Sequence, residues 1–336
     1  MKKYIITLLA LTLCGCGSSG ELTIINETES RAEDSSVTES VSSVSEESEP
    51  EPAEEKDYSD VMPSLRASLS GLDDSAGLTV FGSASPSGDS VNALKAEIDK
   101  LSQGGHKVSL VMIDAATASG VGYNSDIPMC TQSAVKAVFI GALAEAHPEA
   151  FEAHGDLMKR AISLSDNDAY GTLFDTYGSE PLAAWCREAG IDEGFAQELY
   201  PRSWSARDML KLWTKLYCFL NSGSAPEELV KSYTGSLNSA AFAQLGGEYL
   251  VQSKAGWENG IETGSPAGTL PPASYTDGDP SNDECAINDT GVVYTDKGPY
   301  LFVIFTDISY ATGETNPLLD LTEALLGVQQ NLMNNE

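Results

Sequence analysis

Segments with the composition of β-strands form two groups, and a long block of helical segments separates these groups along the chain. The early group, KVSLVMID and GVGYN, is joined by the small-residue turn AATASG, which predicts a hairpin. The late group, EYLVQSKAG, CAINDTGVVYT and PYLFVIFTDIS, carries the β-branched and aromatic residues expected of strands. Strands on both sides of a helical block predict an antiparallel sheet packed against helices, an α+β fold.

Helical periodicity is clearest in two places. Apolar side chains recur at helical spacing over residues 89–103, which predicts an amphipathic helix. Residues 131–146 hold very few charges, so we expect that helix to be buried in the middle of a domain. Periodicity with Gly or Ser stops predicts further helices in DLMKRAISLS, DAYGTLFDTYG, PLAAWCREAG and SARDMLKLWTKLYCFLNSG, and a last helix over 317–331.

Residues 1–16 have the anatomy of an export signal. Lys2 and Lys3 precede an apolar run that is short for a membrane span. The run ends in Leu-Cys-Gly-Cys, which resembles a bacterial lipobox, and small Gly15 before Cys16 favours Cys16 over Cys14 as the lipidated residue. A plain secretory signal or an uncleaved anchor is the alternative. In each case we expect an exported protein, and lipidation would anchor it to the outer face of the bacterial cell membrane.

An acidic segment follows the signal. Residues 17–60 hold 14 Asp and Glu against Arg31 and Lys56 and are rich in Ser and Thr, so self-repulsion and low hydrophobicity predict a disordered tether. We expect the tether to extend over 17–88 and the folded domain to occupy 89–336. The net charge of −31 argues against nucleic acid as a partner, because nucleic acid binds to a basic face.

Cysteine and histidine usage bears on metal and disulfide chemistry. Outside the signal the four cysteines are not closely paired, and the chain has three histidines, so we expect no metal and no cofactor. Export permits disulfides, and Cys130 could pair with Cys285, but the sequence leaves the connectivity of these two with Cys186 and Cys218 open.

Ser133 and Lys136 lie three positions apart at the start of the apolar helix. On a helix these positions share a face, and a buried lysine loses proton affinity and can accept a proton near neutral pH. The helix N-terminus favours developing negative charge on a serine nucleophile. A Ser-x-x-Lys match by itself is common enough that two ordinary residues on a helix face remain an alternative.

Two further motifs follow in order along the chain. Ser165-Asp166-Asn167 by itself is typical of a helix N-cap. Lys254-Ala255-Gly256 by itself is typical of a strand that ends in a glycine turn.

Together the three motifs resemble those of the serine β-lactamase and penicillin-binding protein superfamily, in a layout closest to class A β-lactamases. The similarity spans about residues 92–331 and includes the opening hairpin and the last two strands. It implies a five-stranded antiparallel sheet flanked by helices, plus an all-helical subdomain.

The resemblance also implies roles for residues at these positions. Ser133 would be acylated, Lys136 would activate it, and Ser165 would relay a proton to the leaving nitrogen. Asn167 would bind the side-chain amide of the substrate, and Lys254 would attract its carboxylate. The strand residues Ala255, Gly256 and Trp257 would lie beside the substrate, with the N–H groups of Ser133 and Trp257 forming an oxyanion hole.

The sequence departs from the family in three places. Ala255 lacks the hydroxyl that helps to bind the carboxylate, and neighbouring Ser253 should face the opposite way. The segment IDEGFAQELYPRS lacks the Glu-x-x-Leu-Asn motif whose glutamate activates the deacylating water, and Glu193 and Glu198 are expected to be surface carboxylates. Residues 257–284 form a long insertion that we expect to overhang the cleft.

The leading hypothesis is therefore an exported, lipid-anchored serine hydrolase that opens a β-lactam or a related amide. A DD-peptidase or slow-turnover penicillin-binding protein is the second, which the missing glutamate favours. The third is a non-catalytic relative that binds peptidoglycan peptides or a protein. We expect a small-molecule β-lactam or peptidoglycan-peptide substrate and a monomer.

Overall fold

The computed structural model describes residues 61–258, 286–308 and 316–332, which form ten α-helices and one six-stranded sheet. No helix in these ranges is both long enough and apolar enough to cross a bilayer. The helices are α1 Val61–Gly71, α2 Gly88–Gln103, α3 Val135–Ala146, α4 Pro148–Ser163, α5 Asn167–Tyr177, α6 Glu180–Ala189, α7 Ala206–Asn221, α8 Glu227–Ser232, α9 Ala240–Leu245 and α10 Leu319–Gln330.

The sheet joins the two ends of the described chain. Its strands are β1 Thr79–Phe81, β2 Val108–Asp114, β3 Gly120–Tyr123, β4 Leu250–Glu258, β5 Ala286–Thr295 and β6 Gly298–Thr306. All neighbours are antiparallel in the order β1-β3-β2-β6-β5-β4, and the long-range pair β2–β6 runs in register from Val108 opposite Thr306 to Asp114 opposite Tyr300. The predicted α+β class and all five predicted strands are therefore confirmed.

The sequence prediction was wrong about the number of strands and about where the fold begins. A sixth strand, β1, pairs with β3 from Thr79 opposite Gly122 to Phe81 opposite Gly120. Helix α1 buries Leu65 and Leu69 completely. Residues 61–88, which we assigned to the tether, thus contain regular structure, because two apolar side chains on α1 and three paired strand residues suffice to join the core. Residues 17–60 lie outside the described residues.

A buried arginine on α7 fastens α1 to the domain. The Arg207 guanidinium donates at 2.7 Å to the carbonyl oxygens of both Leu69 and Leu72, and at 2.8 Å to the carboxylate of Asp126. A charged donor that satisfies two carbonyl groups at a helix C-terminus supplies hydrogen bonds that the helix cannot make by itself. This long-range contact has no counterpart in the local sequence pattern.

The two faces of the sheet pack against different helices. Because side chains alternate along a strand, Leu110 and Met112 of β2 face a core shared with α2 and α10, whereas Val111 and Ile113 face a core built around α3 and α7. Helix α3 is buried on every side, as its lack of charge predicts. The buried helix carries Lys136 into the interior beside the sheet.

Candidate active site

Ser133 lies in a 3₁₀ turn, Gln132–Ala134, that leads directly into α3. The Ser133 side chain is partly exposed, and Gln132 before it has a φ of +46°, in the left-handed region that non-glycine residues seldom adopt. Thr131 fastens the turn, because its N–H and its hydroxyl both donate to the carbonyl oxygen of Pro201, at 3.0 and 3.1 Å. Strained backbone held by fixed contacts is common at functional sites.

Lys136 is completely buried one helical turn after Ser133. Its Nζ donates to the carbonyl oxygen of Ser165 at 2.7 Å and to Oδ1 of Asn167 at 2.6 Å. Burial lowers the pKa of Lys136 to about 7, and the nearby charge of Asp166 opposes this decrease. A neutral amine has two hydrogens and one lone pair. The two acceptors bind both hydrogens, so the lone pair is left to accept a proton, as a general base requires.

The Ser-Asp-Asn motif is divided between the site and the helix that follows. Ser165 has a φ of +58°, and Asp166 is the N-cap of α5, where its Oδ1 accepts the Ala169 N–H at 2.9 Å. The pKa of Asp166 is lowered mainly by this hydrogen bond. An ion pair with Arg160 lowers it further. The helix cap and the chemical motif are thus both present, because Asp166 caps α5 while its two neighbours contact Lys136.

Lys254 approaches Ser165 from the strand β4. Its side chain is completely buried, and its Nζ donates to Oγ of Ser165 at 3.0 Å and to the carbonyl oxygen of Ala255 at 2.6 Å. Burial, reinforced by the charge of Lys136, lowers the pKa of Lys254 well below its usual value. Ser165 therefore accepts hydrogen bonds from both lysines, one at its carbonyl and one at its hydroxyl.

A second polar cluster lies under β4, near enough to Lys254 that its carboxylate and that amine favour each other's charged form. Asp289 of β5 is completely buried and accepts hydrogen bonds from Oγ of Ser239 and from the N–H of Ala241, both at 2.9 Å. Burial raises the pKa of Asp289 to about 6, although these hydrogen bonds act in the opposite direction. The Ser253 hydroxyl donates to Ser239 in this cluster. Ser253 therefore does not replace the hydroxyl missing at Ala255. The reason is this hydrogen bond, and the expectation from strand alternation was wrong, because residues 253 and 255 are two apart and share a face of β4.

Gly256 allows β4 to touch the turn that carries Ser133. A Cβ at position 256 would lie 2.4 Å from the Thr131 carbonyl oxygen and 2.7 Å from the Ala134 nitrogen. The Ser253 N–H points away from β5, at the outer edge of the sheet, and donates to the carbonyl oxygen of Tyr233. Because backbone N–H groups alternate along a strand, the N–H of Trp257 lies on this same edge, which faces the Ser133 turn. The edge of β4 that carries the Trp257 N–H thus lies against the turn that holds Ser133.

The segment between α6 and α7 places a tyrosine, Tyr200, beside Lys136. The Tyr200 hydroxyl donates to Oδ1 of Asn167 at 3.0 Å, and its ring centroid lies 5.7 Å from Nζ of Lys136. Glu193 pairs with Arg187, and Glu198 is exposed, so both are surface carboxylates. The sequence reasoning missed Tyr200, because nothing in the segment distinguishes it from any other tyrosine in a loop.

Two expectations fall on residues outside the described part. The insertion at 257–284 lies almost entirely in 259–285, and the Cys130–Cys285 pairing involves Cys285 from that same range. Both stay predictions.

Several known proteins are similar to this chain. A family model described as the beta-lactamase enzyme family matches residues 153–326, just over half of the chain, a range that includes Ser165 and Lys254 and begins after Lys136. No curated protein matches.

Similar solved structures are β-lactamases. A halotolerant bacterial enzyme has 16% identity and a TM-score of 0.48, over 70% of this chain and 97% of that chain. The class A enzyme of Clostridium kluyveri has 16% identity and a TM-score of 0.49, over 71% and 98%. A mutant class A enzyme of the last common ancestor of Gram-negative bacteria has 18% identity and a TM-score of 0.49, over 71% and 98%.

The contact at Gly256 yields the first prediction. Gly256→Ala should lower the free energy of unfolding by roughly 1–3 kcal/mol, because the added methyl group must push β4 away from the Ser133 turn. Gly247→Ala is the matched control, since a Cβ there meets no atom within 4 Å, and it should change stability by less than about 0.5 kcal/mol. Urea unfolding measures both variants, and equal stability of the two would contradict the contact.

Proposed function

Since the chain belongs to the β-lactamase enzyme family, we propose that it is an active-site-serine hydrolase that opens a β-lactam or a related amide through an acyl-Ser133 intermediate. The observation that carries the proposal is the convergence of two buried lysines on Ser165 beside the turn that holds Ser133. Nζ of Lys136 donates to the Ser165 carbonyl oxygen at 2.7 Å, and Nζ of Lys254 donates to the Ser165 hydroxyl at 3.0 Å. Burying two amines together has a high energetic cost, which chemistry explains better than stability does.

Acylation would begin at Ser133. Neutral Lys136 accepts the hydroxyl proton as the serine oxygen bonds to the substrate carbonyl carbon. The N–H groups of Ser133 and Trp257 stabilise the negative charge that develops on the carbonyl oxygen. In other acyl-transfer enzymes one such donor is worth about 3 kcal/mol.

Cleavage of the carbon–nitrogen bond needs a proton on the leaving nitrogen. Ser165 would donate its hydroxyl proton, and Lys254, which donates to that hydroxyl, would replace it. Lys136 gains one proton and Lys254 loses one, so the protons balance. A substrate carboxylate near Lys254 would favour its charged form and thus prepare it for this step.

Asn167 would orient the substrate. Its Oδ1 is occupied by Lys136 and Tyr200, which leaves the exposed amide nitrogen to donate to a carbonyl on the side chain of the substrate. Because Ala255 has no hydroxyl, a substrate carboxylate would depend more heavily on Lys254 than it does where the family's threonine is present.

A slow-turnover penicillin-binding protein or DD-peptidase is the second candidate. The observation that favours it is Tyr200, which lies beside Lys136 where the resemblance places a glutamate-bearing loop. The Tyr200 hydroxyl donates its proton to Asn167, and a phenol, unlike a carboxylate, is a poor base for activating water. The acyl-enzyme would then persist.

Penicillin labelling distinguishes these activities. We expect labelled penicillin to add to Ser133, as measured by protein mass, and Ser133→Ala to abolish the adduct. Rapid release of hydrolysed product supports the β-lactamase, and a persistent adduct supports the slow enzyme. If neither adduct nor product forms, the proposal fails for penicillins.

The pH dependence of acylation tests the role of Lys136. Because its neutral form is the base and burial lowers its pKa to about 7, the acylation rate should fall below pH 7 and level off above it. Asp166→Asn removes the charge that raises this pKa and keeps a good N-cap, so it should shift the fall to lower pH. Acylation rates between about pH 5 and 9 measure both proteins. A profile with no such fall, or a rate that still rises steeply at the upper end of this range, would exclude a Lys136 with a lowered pKa as the base.

We further propose that Cys16 is lipidated and that the acidic segment tethers the exported domain to the outer face of the bacterial cell membrane. The lipobox-like Leu-Cys-Gly-Cys supports this. In bacteria given labelled palmitate, the wild type should carry the label in the membrane fraction, and Cys16→Ser should lose it. Cys14→Ser is the control, and loss of label there instead would assign the lipid to Cys14.

A further inference from the structure

Tyr200 belongs to the immediate surroundings of the Lys136 amine. Its ring centroid lies 5.7 Å from Nζ, the Tyr170 centroid lies 5.5 Å from the same atom, and the two ring centroids are 5.6 Å apart. Two carbonyl oxygens, from Ser165 and Asn167, bind the amine. Two aromatic rings and two fixed acceptors thus account for the complete burial of Lys136.

The backbone on both sides of Tyr200 is fixed. Leu199 accepts the Tyr170 hydroxyl at 3.0 Å through its carbonyl oxygen, and the carbonyl of Pro201 accepts two hydrogen bonds from Thr131. The residues before and after Tyr200 are therefore held by α5 and by the Ser133 turn. Because the backbone is hydrogen-bonded on both sides of Tyr200, the Tyr200 side chain keeps its position although its loop is not buried.

The Tyr200 hydroxyl acts on Lys136 through Asn167. Oδ1 of Asn167 accepts both the Lys136 amine, at 2.6 Å, and the Tyr200 hydroxyl, at 3.0 Å. Turning the amide over would break both hydrogen bonds and place Nδ2–H against Nζ. A neutral amine would then accept from the amide, and its lone pair would no longer be available to Ser133.

We propose that Tyr200 is a positioning residue for Lys136: its ring excludes water from Nζ, and its hydroxyl holds the Asn167 amide in the orientation that leaves the amine lone pair open. The inference rests on the proposed function only in so far as Lys136 acts as a base. The arrangement of ring, amide and amine is independent of any substrate.

The experiment compares Tyr200→Ala and Tyr200→Phe with the wild type in the full chain. Tyr177→Phe is the matched control, since its hydroxyl binds His154 and it lies about 15 Å along α5 from Asn167. Lysine labelled with ¹³C at Cε reports the titration of Lys136, whose signal is assigned by its loss in Lys136→Met. Acylation rates with penicillin are measured for the same proteins. The contacts of the flanking backbone remain in every variant, so each should fold.

The ring and the hydroxyl have different expected effects. In Tyr200→Ala water reaches Nζ, so the pKa of Lys136 should rise by at least about one unit, and the low-pH fall in acylation should move with it. Tyr200→Phe keeps the ring and should leave the titration nearly unchanged, but slow acylation by up to about tenfold through the loosened Asn167 amide. Tyr177→Phe should change neither.

Each result decides one part of the inference. An unchanged Lys136 titration in Tyr200→Ala overturns the role of the ring, and wild-type acylation in Tyr200→Phe overturns the role of the hydroxyl. If Ser133 is not acylated even in the wild type, the proposed function fails separately, and the titration still tests the ring. The Asn167 side-chain amide signals then test the hydroxyl, since they should be sharp in the wild type and broadened in Tyr200→Phe.

Discussion

The burial of two lysines against one serine is the constraint on which the rest of the site depends. Lys136 and Lys254 are fully buried, the charge of Lys136 disfavours charge on Lys254, and both donate to Ser165. Burial lowers the pKa of both amines, that of Lys136 to about 7. The fold therefore keeps part of the Lys136 amine neutral at a pH where an exposed lysine would be fully charged.

The sheet makes this burial possible. The long-range pairing of β2 with β6 brings the late strands back to the early hairpin, and β4 forms the edge next to the Ser133 turn. The edge can approach because position 256 has no side chain. Asn288 of β5 adds a second link, since its amide donates to the Cys130 carbonyl at 2.7 Å. Backbone contact on this scale fixes the lysines relative to Ser133 better than side-chain packing by itself could.

Much of this could be predicted from the sequence, because periodicity and motif order are local signals. The hairpin, the late strands and buried α3 follow from them, and so does the position of Ser133 about one turn before Lys136. Local signals do not show which distant residues a short segment will contact. Strand β1 has three residues, and α1 depends on Arg207 far along the chain. Tyr200 was missed for the same reason, since Thr131 and Tyr170, not its neighbours in sequence, determine where its loop runs.

In the proposed mechanism, the environment that makes Lys136 a base also restricts how the amine returns to its neutral form. Once it has taken the Ser133 proton, its charged form is surrounded by two aromatic rings and two carbonyl oxygens, with no exposed surface. Proton loss to water would then be slow, because the amine is bound to the Ser165 carbonyl oxygen and to Oδ1 of Asn167, neither of which carries a proton away. A glutamate in the place of Tyr200 would both accept protons and admit water, and it would also raise the proton affinity of Lys136. Under the proposed function, the tyrosine would thus favour acylation at neutral pH at the expense of fast deacylation.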